Sequence, residues 1–189
     1  MNDILGGGGF SSRLMTRIRS DEGLAYSVGS RYGMGTYYDG IFRVAFQSRS
    51  ETVARAASIV LEEIEKIRSE LVSEEELSNS VASFVETFTR NFSSAASTAN
   101  LFATDAYTGR DPEYLMNYRA RISTVTPEDV LRVARQYLRP EDLSILIVGD
   151  LDTITEGDPD YPEYSLEAIA GTPLIRIPLP DPVTMIYPE

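Results

Sequence analysis

An arginine and a tyrosine seven residues apart are the pair best suited to chemistry in this sequence. Arg19 lies at the end of a segment with helical spacing, and Tyr26 lies on the strand-like segment that follows. A helix that turns back into a strand can bring both side chains to the same end of a sheet. A guanidinium can hold a peptide carbonyl, and a phenol can donate a hydrogen bond to a developing oxyanion. The alternative is an ordinary surface pair beside a turn, which is the commoner arrangement.

Catalytic sites that need imidazole or thiolate are excluded by the composition. The 189 residues contain no His and no Cys, so zinc sites built on these ligands, Ser–His pairs and Cys–His pairs cannot be assembled. Lys66 is the only lysine, and it lies among helix carboxylates. Ser50, Ser73 and Ser123 therefore lack a base and are predicted to be helix caps and turn residues.

The glycine run from Gly6 to Gly9 is not predicted to bind phosphate. No G-x-x-x-x-G-K-[ST] motif follows it, and a dinucleotide fingerprint would need glycine where Ser11 stands. We expect a turn that lets the chain pass close to another backbone. The carboxylates of Glu62, Glu63 and Glu74–Glu76 are expected on solvated helix faces, since helices commonly carry such residues for solubility.

The acidic balance excludes several classes of partner. Lys and Arg total 17 against 29 Asp and Glu, which gives a formal net charge of -12. Such a charge repels phosphate backbones and anionic lipid, so neither nucleic acid nor membrane is expected as a partner. The sequence contains no apolar run of about 20 residues and no signal segment, which predicts a soluble chain. The compartment stays open, with bacterial cytoplasm and periplasm both compatible.

The pattern of apolar residues predicts an α+β domain. Near-alternation predicts a β-hairpin over residues 24–47, whose tyrosines Tyr26, Tyr32, Tyr37 and Tyr38 would mostly pack on the sheet and partly line a peptide groove. The apolar run Leu143–Val148 predicts a strand buried within the sheet. Helices are predicted over residues 11–21, 53–68, 74–92 and 93–107, from 111 onward, and over 127–138.

A change in composition predicts the domain boundary. We expect a single domain over residues 1–151, because the chain beyond it is rich in Pro, Asp, Tyr and Thr. Residues 152–189 are expected to form an extended tail or linker, with an edge strand at Leu174–Leu179.

The segment Ile4–Ser30, ILGGGGFSSRLMTRIRSDEGLAYSVGS, closely resembles the start of the second-half domain of pitrilysin-like metallopeptidases. This family includes insulin-degrading enzyme and mitochondrial processing peptidase. Further matches follow in order at VSEEEL, DPEYL, VTPEDV and LSILIVGD. The resemblance covers about residues 1–151 and leaves the tail unmatched.

The resemblance implies a mostly antiparallel sheet backed by helices, as in an inverzincin half-domain. Such a domain pairs with a homologous zinc-bearing half-domain or subunit around a peptide substrate, and the partner carries the inverted motif H-x-x-E-H. By position, Arg19 and Tyr26 correspond to the pair that binds the substrate backbone and helps to stabilise the tetrahedral intermediate. This chain would hold no cofactor, and the zinc would lie in the partner domain.

Two departures from the family pattern qualify these expectations. The first strand and leading helix of the family pattern have no counterpart in this sequence, which is expected to leave an exposed sheet edge or to favour a homo-oligomer through that edge. The recognition subunit of mitochondrial processing peptidase has a longer glycine insertion, which argues against that role here.

The leading hypothesis is therefore the substrate-binding half of a zinc-dependent metalloendopeptidase acting on peptides or unfolded proteins, which cannot be active alone. The alternatives are a non-catalytic scaffold descended from such a peptidase and a module that binds extended peptides by edge-strand addition.

Overall fold

The computed structural model describes residues 1–171 and 174–188 and has the predicted α+β architecture. Its described residues form two antiparallel strands, β1 (Ala25–Tyr32) and β2 (Phe42–Ser48), followed by helices along the chain. None of the helices in this part of the chain is long and apolar enough to cross a bilayer. The helices are α1 (Val53–Ser69), α2 (Glu74–Thr87), α3 (Ala95–Thr108), α4 (Glu113–Ile122), α5 (Pro127–Tyr137), α6 (Leu151–Glu156) and α7 (Leu166–Ala170).

Two segments with π-helical geometry, Asp3–Gly7 and Met15–Asp21, precede the hairpin. A 3₁₀ turn at Gly9–Ser11 connects them, and further 3₁₀ turns lie at Ser50–Thr52, Phe88–Phe92 and Pro140–Asp142. The predicted helix before residue 21 is thus present, but it is wound more widely than an α-helix. Turns with π-helical geometry are rare in proteins overall, and those that occur are often found at functional sites.

The hairpin buries one face and exposes the other. Ser30 pairs with Val44 and Val28 with Phe46 on the inner face, where Val28 is buried and the two β2 residues pack against the core. Because successive strand residues point to opposite faces, the partners between them point outward. The outward pairs are Ser27 with Gln47, Gly29 with Ala45, and Arg31 with Arg43.

Helix α1 is the centre of the hydrophobic core. Its apolar residues recur every three or four positions, which places Ile64 and Ile67 on one buried stripe. This stripe packs with Leu14 and Ile18 of the first segments and with the buried face of α5. The core therefore fixes the Met15–Asp21 segment directly against the strands and α1.

Local capping signals confirm several predicted helix ends. Ser73 and Glu76 form a capping box at the start of α2, and Thr126 with Asp129 forms another at α5. Gly109 ends α3 with φ of 67°, a left-handed conformation that glycine adopts without steric cost.

The predicted buried strand at Leu143–Val148 is wrong for the structure as described. The segment has no strand partner among the described residues. Leu143 and Ile147 pack inward, whereas Leu146 and Val148 are 81% and 82% exposed. A strand depends on a neighbour for its hydrogen bonds, so this apolar segment forms no strand here.

The tail prediction is corrected in part. Helices α6 and α7, which were not predicted, form a small second cluster in which Ile154 and Leu166 pack against Ala54 of α1. No strand forms at residues 174–179, while Pro173 falls outside the described residues. The boundary after residue 151 stays a prediction.

The carboxylate of Glu76 connects the cap of α2 with the segment that carries Arg13, and the effect of its titration on stability should be measurable. Glu76 accepts from Arg13, whose Nε lies 2.6 Å from Oε1, and also from the Ser73 backbone N–H. The hydrogen bond from Arg13 is the main cause that lowers the pKa of Glu76 from 4.5 to about 2. A lowered pKa means that the stabilisation is complete above about pH 4.5 and is lost as the pH falls towards 2.

We expect Glu76→Gln to lower the free energy of unfolding at pH 7 by about 1 kcal/mol, because solvent screens this partly exposed pair. Gln can still complete a capping box, so the change removes mainly the charge. Urea unfolding between pH 7 and pH 3 should show the difference from wild type shrinking with acid. Glu75→Gln, an exposed neighbour, is the control and should change little; a pH-independent loss in Glu76→Gln would contradict the assignment.

Candidate functional site

The chain reverses sharply between Arg19 and Tyr26, and this turn brings the two residues together. Arg19 lies in the last turn of the Met15–Asp21 segment. Gly23 then adopts φ of 62°, and the Leu24 N–H donates to the Ile18 carbonyl at 2.8 Å. Because Ile18 and Leu24 are both buried, the turn is fastened to the core and β1 begins beside the helix end.

A β-bulge aims the Tyr26 side chain outward. Ala25 pairs with Ser48 and Ser27 pairs with Gln47, so Tyr26 is an extra residue in β1. Tyr26 and Ser27 are consequently both exposed, where regular alternation would bury one of them. Tyr26 is 83% exposed, and its phenol faces the same side as the outward pairs of the hairpin.

The guanidinium of Arg19 lies against two aromatic rings. Its Cζ is 4.9 Å from the centroid of Tyr26 and 4.7 Å from the centroid of Phe10. Cation–π contacts near a protein surface stabilise by about 0.5–1 kcal/mol each, and Arg19 is partly exposed. The structure therefore brings the predicted Arg19–Tyr26 pair together on an open surface.

Phe10 is the member of this cluster that sequence reasoning missed. It is 73% exposed and follows Gly9, whose φ of 65° turns the chain. The Ser12 Oγ donates to the Gly9 carbonyl at 2.7 Å, which fixes the turn. A large aromatic residue placed on a polar turn directly after a glycine run was the available signal, because such a residue has no obvious core to fill.

The glycine run serves close backbone packing, as predicted. A Cβ on Gly6 would lie 2.7 Å from the Ser30 backbone nitrogen and 2.6 Å from its Oγ, so only glycine fits there without displacement. Asn2 reinforces the contact, since its Oδ1 accepts from the Ser30 Oγ at 2.8 Å. The run therefore holds the first segment along β1 and positions Phe10.

Ion pairs hold the segment that carries Arg19. Arg17 donates to Glu63 at 3.1 Å and to Glu62 at 3.3 Å, both on α1. The expectation that Glu63 lies on a solvated face is wrong: it is buried and also accepts from Lys66 at 3.0 Å. Glu76 of α2 likewise pairs with Arg13. These carboxylates position the arginine-bearing segment, while Lys66 does lie among carboxylates as predicted.

The remaining hairpin tyrosines divide between packing and exposure. Tyr32 packs against Phe42 and Tyr137. Tyr37 donates to the Tyr107 carbonyl at 3.0 Å and contacts its ring edge-on. Tyr38 is exposed. Of the four, Tyr26 is the one that contacts Arg19.

Two cavities in the described part of the chain have no lining residue from this cluster. One of about 280 Å³ separates the glycine run from the start of α2, and Gly8, Ser11 and Glu76 contribute to its lining. Another of about 200 Å³ lies beside α4 and is lined in part by Arg110 and Tyr114. The cluster of Arg19, Tyr26 and Phe10 is thus a surface that would need a second molecule to become a closed site.

The residues of this chain do not fit a zinc site. The sequence contains no His and no Cys, and the described residues contain no cluster of three or more carboxylates able to hold a metal ion. Zinc sites in hydrolases rely on such donors. The described surface can offer hydrogen-bond donors and cations to a bound molecule.

Comparison with known proteins links this fold to peptidases. Residues 1–84 match the family described as the peptidase M16 inactive domain. The chain is 30% identical to an uncharacterized zinc protease of Streptomyces coelicolor. The alignment spans 147 residues, which is 77% of this chain. The chain spans 31% of the length of that relative.

Solved structures share the fold. A peptidase M16 inactive domain from Pseudomonas fluorescens superposes with a TM-score of 0.67 at 24% identity, covering 73% of this chain and 32% of its own. A protease from Helicobacter pylori superposes with a TM-score of 0.62 at 22% identity; the match covers 72% of this chain and 32% of that protease. The periplasmic protease PqqL from Escherichia coli superposes with a TM-score of 0.57 at 24% identity; the match covers 66% of this chain and 14% of PqqL.

The stacking of Phe10 on Arg19 can be tested without any enzymatic assay. In Phe10→Ala, the Arg19 Nε–H resonance should move downfield because one ring current is removed. The free energy of unfolding should fall by about 0.5–1 kcal/mol, because one cation–π contact of Arg19 is lost. Two-dimensional NMR of the arginine side chains and urea unfolding provide the two measurements. Phe102→Ala, which changes another exposed aromatic residue, should leave the Arg19 resonance unmoved. An unmoved Arg19 resonance in Phe10→Ala would show that the Phe10 ring does not contact the Arg19 guanidinium in solution.

Proposed function

Since residues 1–84 belong to the inactive-domain family of M16 peptidases, we propose that this chain is the substrate-binding half of a zinc-dependent metalloendopeptidase. The zinc site would belong to a homologous half-domain or subunit. The substrate would be a peptide or an unfolded protein segment held between the two halves. The contact of Arg19 with Tyr26 on an exposed face is the observation that carries this proposal.

The stacked arginine is well suited to bind a peptide backbone. The rings of Phe10 and Tyr26 lie within cation–π distance of the guanidinium, and a contact with a ring does not occupy its N–H donors as a carboxylate would. Arg19 forms no ion pair with a carboxylate of the described residues. Its in-plane N–H groups can therefore donate to substrate carbonyl oxygens.

The tyrosine is suited to a role in the transition state. Its hydroxyl lies on a largely exposed ring whose direction is set by the bulge. When an amide carbonyl becomes tetrahedral, negative charge develops on its oxygen, and a positioned phenol can donate a hydrogen bond to it. Arg19 thus binds the peptide, and Tyr26 stabilises the charge that develops next to it.

The alternatives from sequence analysis correspond to different surfaces. A non-catalytic scaffold would use the same fold without the Arg19–Tyr26 pair taking part in cleavage. A module that binds peptides by strand addition would use the exposed edge of β2, which has no strand neighbour other than β1 among the described residues. The same edge would support the proposed homo-oligomer. The cation–aromatic cluster favours the peptidase half, because neither alternative requires it.

Reconstitution with a zinc-bearing half tests the proposal. The 189-residue chain is mixed with the purified half, and cleavage of a fluorogenic peptide is followed. Tyr26→Phe should lower kcat about 10²-fold because one donor to the oxyanion is lost. Arg19→Ala should lower kcat/KM about 10-fold or more, because the peptide loses a charge-assisted contact.

The matched controls are an exposed tyrosine and an exposed arginine that do not belong to the candidate site. Tyr38→Phe removes an exposed hydroxyl from the same hairpin, and Arg90→Ala removes an exposed cation beyond α2. Both should retain the wild-type rate. Unchanged cleavage in Tyr26→Phe and Arg19→Ala would refute their roles, and binding of the two halves without any gain in cleavage would favour the scaffold.

A further inference from the structure

The outward face of the hairpin carries a pair of like charges. Arg31 and Arg43 are direct cross-strand partners in the β1–β2 register, and both side chains are exposed. Like charges directly opposite each other destabilise a sheet. In a chain of net charge -12, neither arginine forms an ion pair with any residue in the described ranges.

The arginine pair lies on the same face as the candidate site. The bulge turns Tyr26 outward together with Ser27, so its phenol and the Arg31 guanidinium point to one side of the hairpin. Arg31 is five positions after Tyr26 along β1, which corresponds to about 16 Å at the rise of a strand. An extended peptide has the same rise, so the substrate residue that reaches Arg31 lies about five residues from the peptide group that faces Tyr26.

The surface between the two ends can accept a peptide. The outward pairs between them are Gly29 with Ala45 and Ser27 with Gln47. Gly29 has no side chain, and Ala45 and Ser27 have small ones, so much of the floor is low. A peptide lying along this floor would meet the Arg19 cluster at one end and two guanidinium groups at the other.

We propose that Arg31 and Arg43 form a carboxylate-binding subsite for the peptide substrate, about five residues from the bond that Tyr26 faces. Two guanidinium groups present in-plane N–H donors to both oxygens of one carboxylate. The anion is a single carboxylate, supplied by an acidic side chain or by the C-terminus of the peptide. A strongly acidic peptide is disfavoured, since the rest of the chain repels it.

Binding to the 189-residue chain by itself tests the subsite. The probes are three ten-residue extended peptides with a neutral fluorophore at the N-terminus. The first has one Glu near its amidated C-terminus, the second has Gln in its place, and the third has that Gln with a free C-terminal carboxylate. Fluorescence anisotropy is measured in 150 mM salt, where long-range charge effects are screened beyond about 8 Å.

The Glu peptide should bind about 10-fold more tightly than its Gln counterpart. If the third peptide instead shows the gain, the terminal carboxylate is the ligand, and either result supports the subsite. Equal affinity of all three peptides, or the absence of binding by any, would overturn it.

Substitution assigns the preference to the two arginines. The double variant Arg31→Gln/Arg43→Gln should abolish the difference between the peptides, while Arg90→Gln should retain it. The double variant should also unfold at a slightly higher temperature, because a like-charge pair is removed; this confirms that it is folded. A preference that survives in the double variant would overturn the assignment.

The position of the peptide rests on the proposed roles of Arg19 and Tyr26, whereas the carboxylate preference is measured without cleavage. The two can therefore fail separately. Normal cleavage by the Tyr26→Phe and Arg19→Ala variants with an intact carboxylate preference would remove the proposed function and keep the subsite. The reverse pattern would remove the subsite alone.

Discussion

The contact of the Arg19 guanidinium with the rings of Phe10 and Tyr26 is the interaction on which the candidate site depends. It joins three separate parts of the chain: the turn after the glycine run, the end of a π-helical segment and the start of β1. Each part is fixed by a different device, respectively the Gly6–Ser30 approach, the ion pairs of Arg13 and Arg17, and the bulge. A guanidinium held by aromatic rings keeps its N–H donors for a ligand, which an arginine in an ion pair would not.

Composition sets the limits of what this surface can do. Without imidazole or thiolate, the chain can bind, orient and neutralise charge, but it cannot supply the zinc ligands of a hydrolase. The location of the cluster on an open surface agrees with these limits, since water is excluded from the cluster only when a second molecule covers it. The family match rests on residues 1–84, and the solved structures show the fold; the substrate and the partner are proposals.

Features encoded by neighbouring residues could be predicted from the sequence. The predicted starts of α2 and α5 and the predicted end of α3 are confirmed, because the caps at Ser73, Thr126 and Gly109 depend on residues close in the sequence. The predicted range of α1 is confirmed as well. The juxtaposition of Arg19 and Tyr26 was also predictable, because a short turn separates them.

Features that depend on distant partners were predicted less well. The Leu143–Val148 run has the composition of a buried strand, but strand formation requires a neighbouring strand, which composition does not reveal. Glu63 was placed in solvent because its burial depends on Arg17, 46 residues away. Phe10 was missed for the same reason, since its ring contacts Arg19 only after the intervening segment has folded.

Glu76 gives the fold a form of cooperativity that its individual contacts do not show. The same carboxylate caps α2 and anchors Arg13, so the first turn of that helix and the docking of the preceding segment share one anion. Fraying at the helix start weakens the hold on Arg13, and release of Arg13 weakens the cap. The two regions should therefore open together as one unit in hydrogen exchange, so that the start of α2 and the docking of the segment that carries Arg13 are gained or lost together.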